Sequence, residues 1–265
     1  MKHFVLIAMA VSALLITLGC GDDDGGSESV QVVASEYSYD LPAQVKGGVV
    51  TFEINNEGDQ IHEFAFGRID EGKTIDDLKA RFETEGGEEA DWAHDLGGIP
   101  GLSPGMSLRM TRELEDEGTY FFVCFFPSPE GEPHINLGMI KSFEISGDSG
   151  AELPKPDAVI EAGGDEFVVP DLKVGRQILE FKNTANEPRE FQIISPEPGK
   201  TEEEIGEWFD SGLQGNPPVV FPGGMQTIPA GTSVFIEMEL EKGRTYLLTS
   251  ETEDGGEISA EFTPS

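Results

Sequence analysis

The sequence predicts an all-β protein built from two tandem β-sandwich domains, each with one inserted helix. Its apolar stretches are short, and 33 glycines and 17 prolines are available for the turns between them. A chain of 265 residues can form two ordinary domains, each with its own core. The strongest observation is that the second half of the chain repeats the motifs of the first half in the same order.

An internal repeat relates the two halves at an offset of 127 residues, which becomes 126 after a one-residue deletion. The main matches are Phe52–Gly58 with Leu179–Ala185, His62–Phe64 with Arg189–Phe191, Gly97–Gly98 with Gly223–Gly224, and Gly118–Tyr120 with Arg244–Tyr246. Matches in one order over so many segments indicate two copies of one domain. The joint runs from Ser146–Gly150 through Pro154–Pro156 and has linker composition, which predicts a linker at 148–155 and places domain one at 29–147 and domain two at 156–265.

Short β-prone runs predict the strands of domain one. These runs are Val49–Ile54, Phe64–Phe66, Met106–Met110, Tyr120–Val123 and Ser142–Ile145. Glycine, proline or charged turns separate them, as expected for the strands of a sandwich.

A capping pattern predicts one helix in each copy, with Thr74 and Asp77 in the first and Thr201 and Glu204 in the second. Apolar residues follow at helical spacing in the first copy, at Ile75, Leu78 and Phe82. We therefore expect the helix to cover one edge of the sandwich.

The N-terminus predicts a cleaved signal peptide, because a short basic head precedes an apolar run too short for a stable transmembrane span. The end of this run, Ile16–Cys20, resembles the lipobox of bacterial lipoproteins, which are cut before a cysteine that is then acylated. The resemblance implies a signal peptide at 1–19 and a lipidated Cys20 that begins an acidic tether at 20–28. It also implies anchoring to a membrane of the bacterial cell envelope, facing outside the cytoplasm. A plain secretory signal in which Cys20 is incidental is the alternative.

The formal net charge is −34, from 17 basic and 51 acidic residues. This balance argues against nucleic acid as a partner, because phosphate binding needs clustered Lys and Arg. Two interpretations stay open: a solubilising surface, or steering toward a basic partner. The acidic residues are spread along the whole chain, which favours the first interpretation.

Cys124 is the most informative residue for function. If Cys20 is acylated, Cys124 has no disulfide partner in the chain, and an unpaired thiol in an oxidising compartment requires burial or ligation. It directly follows the run Tyr120–Val123, so we expect it at the rim of the sandwich. His134 and Met139 lie on the segment that follows, which places a thiol, an imidazole and a thioether between two strands.

This segment resembles the metal-binding loop of cupredoxins, the blue-copper family of plastocyanin and azurin, in which a strand ends in Cys and leads to a His-x4-Met motif. An earlier His behind a polar turn completes the family's site, and Asn55–His62 resembles that part. The resemblance implies cupredoxin-like domains and one copper ion in domain one, with His62, Cys124 and His134 as equatorial ligands and Met139 as axial ligand. Sulfur suits Cu(I) and imidazole nitrogen supports Cu(II), so such a set can serve electron transfer.

Domain one departs from the family in the length of its ligand loop, and domain two lacks the ligand residues. Nine residues separate Cys124 from His134, more than is usual in the family, so we expect this loop to bulge outward. Glu130 or Glu132 in the bulge is a further candidate ligand. In domain two Arg189 replaces His62 and Ser250 replaces Cys124, which predicts a degenerate cupredoxin-like domain without metal ligands.

The leading hypothesis is a copper-binding or electron-transfer lipoprotein of the cell envelope with a redox protein as partner, for which a basic surface is one option. A copper capture or delivery protein and a metal-free scaffold are the alternatives. A zinc site formed by His62, His94, Cys124 and His134 is a further option, although His94 is expected on a surface loop. No nucleophile–base pair, phosphate loop or carboxylate motif stands out, so the sequence predicts that the chain is not an enzyme.

Overall fold

The computed structural model describes residues 29–85, 90–252 and 255–265. Within them the chain forms 16 strands and two helices, arranged as two β-sandwich domains, which confirms the predicted fold class. The predicted signal peptide, Cys20 and the acidic tether lie outside the described residues. None of the helices in the described ranges is long and apolar enough to cross a membrane.

Domain one contains eight strands and one helix. In chain order they are β1 (Ser29–Ser35), β2 (Ser38–Asp40), β3 (Gln44–Asn56), β4 (His62–Ile69), α1 (Ile75–Glu85), β5 (Ala93–Leu102), β6 (Ser107–Leu114), β7 (Gly118–Val123) and β8 (Ile140–Asp148). Domain two repeats this order. Its elements are β9 (Ala158–Ala162), β10 (Phe167–Val168), β11 (Gly175–Asn183), β12 (Arg189–Pro196), α2 (Glu202–Asp210), β13 (Val219–Ile228), β14 (Ser233–Leu240), β15 (Tyr246–Glu251) and β16 (Glu257–Phe262).

Each domain is a sandwich of two sheets with the same topology. In domain one the sheets have the orders β2-β1-β3-β6 and β3-β8-β7-β4-β5, since the start of β3 also pairs in parallel with β8, and in domain two the orders are β10-β9-β11-β14 and β13-β12-β15-β16. The first strand of each copy runs parallel to the long third strand, β1 to β3 and β9 to β11. This shared arrangement shows that both copies have the same β-sandwich framework.

The two domains are joined edge to edge, because both sheets continue from one domain into the other. Strand β6 pairs with its counterpart β14, and Met110 lies opposite Ile236, the residue equivalent to it in the repeat. Strand β5 meets its counterpart β13 where Gly98 lies opposite Gln226. Pairing between equivalent antiparallel strands places an approximate twofold axis at the interface. One continuous apolar core runs through both domains.

Both predicted helix starts are confirmed. Thr74 Oγ1 accepts a hydrogen bond from the Asp77 backbone N–H at 3.2 Å, and the Thr74 N–H donates to the Asp77 carboxylate at 2.9 Å. Thr201 and Glu204 form the same capping box at α2. Each box satisfies backbone donors that the first turn of a helix leaves unpaired.

Four of the predicted runs lie within β3, β4, β7 and β8. The fifth, Met106–Met110, lies in β6 except for Met106, which precedes the first residue of that strand. Strand β5 was not predicted as a strand, and His94, expected on a surface loop, lies near its start. The predicted domain boundaries stay a prediction, with β8 ending at Asp148 and β9 beginning at Ala158.

Candidate metal centre

His62 begins β4, behind a turn that is fixed by one buried asparagine. The side-chain amide of Asn56 donates to the carbonyls of Gln60 and Leu102, both at 2.8 Å. Its oxygen accepts from the Gly58 N–H at 2.9 Å. Because three hydrogen bonds hold the turn, the backbone enters β4 in one conformation and His62 starts the strand in a fixed place.

Cys124 directly follows β7 and is fully buried. Its N–H donates to the Met139 carbonyl at 3.1 Å, which ties the two ends of the loop together. Its Sγ accepts a hydrogen bond from the Glu63 N–H at 3.3 Å. The thiol therefore lies against the start of β4, beside His62.

The long Cys124–His134 loop folds into a compact turn of its own. Pro127 bridges to Pro133, and the Ser128 N–H donates to the Glu132 carbonyl at 2.8 Å. The His134 N–H then donates to the Phe126 carbonyl at 2.9 Å, so the chain returns to a point close to where it left. The additional residues bulge outward as expected. Glu130 and Glu132 are both exposed on this bulge, and neither joins the ligand group.

Three side chains that are distant in sequence converge at the rim of domain one. His62 Nδ1 lies 3.3 Å from His134 Nδ1, and Cys124 Sγ lies 3.3 Å from His134 Nδ1. All three ligand atoms lie within 4.8 Å of one another, and all three residues are buried. A trigonal ion with bonds of about 2.0–2.3 Å needs ligand atoms about 3.5 Å apart. The donor set and its spacing therefore fit one metal ion.

Met139 is also fully buried, and its backbone forms hydrogen bonds with the backbones of His134 and Cys124. Its N–H donates to the His134 carbonyl at 2.9 Å, and its carbonyl accepts from Cys124. These bonds place Met139 at the C-terminal end of the ligand loop. Its role as axial ligand stays a prediction.

Burial gives the imidazoles and the thiol opposite protonation tendencies. Burial, with a smaller contribution from His134, lowers the pKa of His62 to about 4, and burial also lowers the pKa of His134. The imidazoles are therefore neutral near pH 7, as metal binding requires. Burial, reinforced by the charge of Glu63, raises the pKa of Cys124 to about 12. A metal ion must therefore displace the thiol proton.

Residues that the sequence did not single out surround these ligands. Gln60 Oε1 lies 3.2 Å from His134 Nε2, and the Tyr37 ring packs edge-on against the His134 ring at 5.0 Å between centroids. Glu36 Oε1 lies 4.0 Å from His62 Nε2. Tyr39 donates a hydrogen bond to the carbonyl of Glu63. The β1–β2 hairpin thus covers the site, and no motif spacing relates it to the ligand segments.

His94 is not part of this group. Its Nε2 lies 2.7 Å from Asp70 Oδ1, and its side chain is 40% exposed. Among the residues that the structure describes, the one group of His, Cys, Asp or Glu side chains positioned for a metal ion is His62, Cys124 and His134. The alternative zinc set with His94 is therefore not assembled.

In domain two other side chains fill the equivalent positions. Arg189, in place of His62, is buried, forms an ion pair with Glu187 and donates to the carbonyls of Gly163 and Gly164. Ser250, in place of Cys124, accepts from the Glu190 N–H at 3.0 Å. The same backbone framework therefore holds an arginine and a hydroxyl group where domain one holds metal-binding donors.

No protein-family model and no curated protein matches this chain. Among solved structures, it is similar to a dithionite-reduced auracyanin from Roseiflexus castenholzii, with 20% identity, 46% of this chain and 99% of the other covered, and a TM-score of 0.33. It is also similar to auracyanin A, a blue copper protein from Chloroflexus aurantiacus, with 18% identity, 46% and 100% coverage, and a TM-score of 0.32. A third match is the copper nitrite reductase from Nitrosomonas europaea, with 15% identity, 90% and 94% coverage, and a TM-score of 0.26.

The prediction that the chain is not an enzyme is wrong and is corrected here. The matching structures include multicopper oxidases, a laccase and copper-containing nitrite reductases, which are enzymes. These matches are only 12–15% identical to this chain. The absence of a catalytic motif in the sequence therefore does not exclude an enzyme.

Proposed function

We propose that domain one binds a single copper ion through His62, Cys124 and His134, with Met139 as the axial ligand, and that the protein transfers electrons one at a time. The observation that carries this proposal is the convergence of three buried ligand atoms: His134 Nδ1 lies 3.3 Å from both His62 Nδ1 and Cys124 Sγ, and all three atoms lie within 4.8 Å of one another. Two imidazoles, one thiolate and a distant thioether form the trigonal set that copper uses in electron-transfer proteins.

The surroundings of the ligands support electron transfer over copper delivery. Copper supplies a reversible one-electron couple when it is bound. His62, Cys124 and His134 are each 0% exposed, and backbone hydrogen bonds fix both ends of the ligand loop. A closed, tightly held cage retains its ion and changes little between oxidation states, whereas delivery requires the site to open.

A titration of the soluble segment 29–265 with Cu(II), followed by visible absorption, tests the copper site. An intense band that saturates at one equivalent and is lost in Cys124→Ser is the expected result. His94→Ala is the matched control and should leave the band unchanged. A protein that stays colourless and binds no copper would contradict the proposal and leave the metal-free scaffold.

The location and the partner are part of the same proposal. Acylation of Cys20 would hold the protein on the cell envelope, with residues 21–28 as a spacer between the lipid and domain one. The net charge of −34 favours a basic redox protein over nucleic acid as the partner. Metabolic labelling with a fatty acid, compared with Cys20→Ser, tests the anchor. Unlabelled wild-type protein in the soluble fraction would contradict it.

A further inference from the structure

The two segments that carry metal ligands in domain one pack against domain two. Ile61, directly before His62, and Phe126, two residues after Cys124, both contact an apolar cluster of domain two that includes Trp208 and Phe221. The rings of Phe126 and Phe221 meet edge to face at 5.6 Å between centroids. The walls of the site are therefore shared between the domains, although the ligands are not.

A series of hydrogen bonds leads from domain two to the thiol of Cys124. Gln226 Nε2 donates to Glu63 Oε1 at 2.5 Å, and the other carboxylate oxygen of Glu63 accepts from the Phe125 N–H at 2.8 Å. The backbone N–H of Glu63 in turn donates to Cys124 Sγ at 3.3 Å. Glu63 is 8% exposed, so few water molecules can replace a lost partner. Gln226 thus fixes the carboxylate that holds the backbone directly after Cys124.

This contact breaks the approximate twofold symmetry of the interface. The repeat places Pro100 at the position equivalent to Gln226, and Glu190 at the position equivalent to Glu63. Proline has no side-chain donor, so the symmetric contact to Glu190 cannot form. The hydrogen bond exists only on the side of the interface that faces the ligand group.

We propose that Gln226 is a positioning residue for Cys124, through which domain two forms part of the metal site of domain one. The proposal rests on the proposed copper site. Without the Gln226 donor, the Glu63 carboxylate keeps only its hydrogen bond to the Phe125 N–H. Glu63 is then held less firmly, and so is the hydrogen bond from its backbone N–H to Cys124 Sγ. Groups that orient ligands in this way commonly change metal affinity by about 10–100-fold when they are removed.

The test compares Gln226→Ala with Gln226→Met in the full chain, because methionine keeps the volume of the side chain but removes the donor. Arg109→Ala is the matched control. It breaks the interdomain ion pair between Arg109 and Glu237, which are 3.5 Å apart, without touching Glu63. Four quantities are measured for each variant. The first is the alkylation rate of Cys124 in the metal-free protein, read from its peptide by mass spectrometry. The others are the affinity for Cu(II), the energy of the visible band and the reduction potential of the copper-loaded protein.

Both Gln226 variants should alkylate several-fold faster than wild type, bind copper about 10-fold more weakly and shift the band and the potential. Arg109→Ala should match wild type in all of these. Equal shifts in all three variants, or no shift in either Gln226 variant, would overturn the proposal. Wild-type protein without a copper band would refute the proposed function instead. The alkylation rates would then decide the positioning role alone.

Discussion

His62 and Cys124 respond to burial in opposite ways, and this difference predicts a proton count. The pKa of His62 is lowered to about 4, so near pH 7 it gives no proton to solution when a metal binds. The pKa of Cys124 is raised to about 12, so the thiol must lose its proton on binding.

We expect copper binding to release about one proton per ion near pH 8, where the neighbouring Glu63 carboxyl, whose pKa burial raises to about 7, is already mostly ionised. The count should rise as the pH falls toward 4, because Glu63 and then His62 are protonated before the metal binds. A titration with Cu(II) in a weakly buffered solution with a pH indicator measures this count. Cys124→Ser should release none near pH 8. A release of two or three protons there would show that the imidazoles are charged, contrary to their burial.

The convergence of His62, Cys124 and His134 could be predicted from the sequence, whereas the groups around them could not. His62, Cys124, His134 and Met139 stand in an order and spacing that resemble a known family. Gln226 lies 163 residues from Glu63, and only the pairing of the two domains brings them together. No local pattern carries information about a contact that depends on an interface.

At the scale of elements, the same asparagine turn occurs in both domains and provides a direct comparison. Asn56 bonds to the carbonyls of Gln60 and Leu102. Asn183 bonds to the equivalent carbonyls of Glu187 and Ile228, also at 2.8 Å. Only the turn in domain one leads to a histidine of the candidate metal centre.

Asn56→Ala and Asn183→Ala should therefore destabilise the metal-free protein to a similar extent, by about 1–3 kcal/mol, since each leaves buried carbonyls unpaired. Only Asn56→Ala should also weaken copper binding, because it loosens the start of β4. Denaturant unfolding and a copper competition titration measure the two effects. Equal copper affinities in the two variants would show that the turn does not position His62.

Strand β5 was not predicted from the sequence, and its glycines explain why. Strand β5 contains Gly97 and Gly98, both with positive φ. A Cβ atom on Gly98 would lie 2.1 Å from the Phe64 carbonyl oxygen of β4, so only glycine permits this close approach. The glycines that allow β5 to pair therefore remove the β-prone residues by which a strand is predicted.

At the scale of the whole molecule, the two halves form an internal pseudo-dimer. Strands β5 and β6 of domain one lie at its sheet edges and are covered by their counterparts in domain two. The interface also buries Ile61 against domain two. The repeat predicted two domains, but nothing in it indicated that equivalent strands pair with each other.

We therefore expect domain one alone, residues 29–147, to form a homodimer through β5 and β6. Exposed edge strands pair readily, and Met110 already lies on the approximate twofold axis opposite its counterpart. Light scattering after size-exclusion chromatography measures the mass. A stable monomer at high concentration would show that the edges do not drive the pairing of the domains.

The central claim is that two imidazoles and one thiolate of domain one hold a copper ion in one rigid cage. X-ray absorption at the copper edge, recorded on the full chain in the Cu(II) and Cu(I) states, tests this claim most directly. We predict two nitrogen ligands and one short sulfur ligand in both states, with little change in bond length, and loss of the sulfur ligand in Cys124→Ser. A shell of only oxygen and nitrogen ligands, the same in wild type and Cys124→Ser, would contradict it.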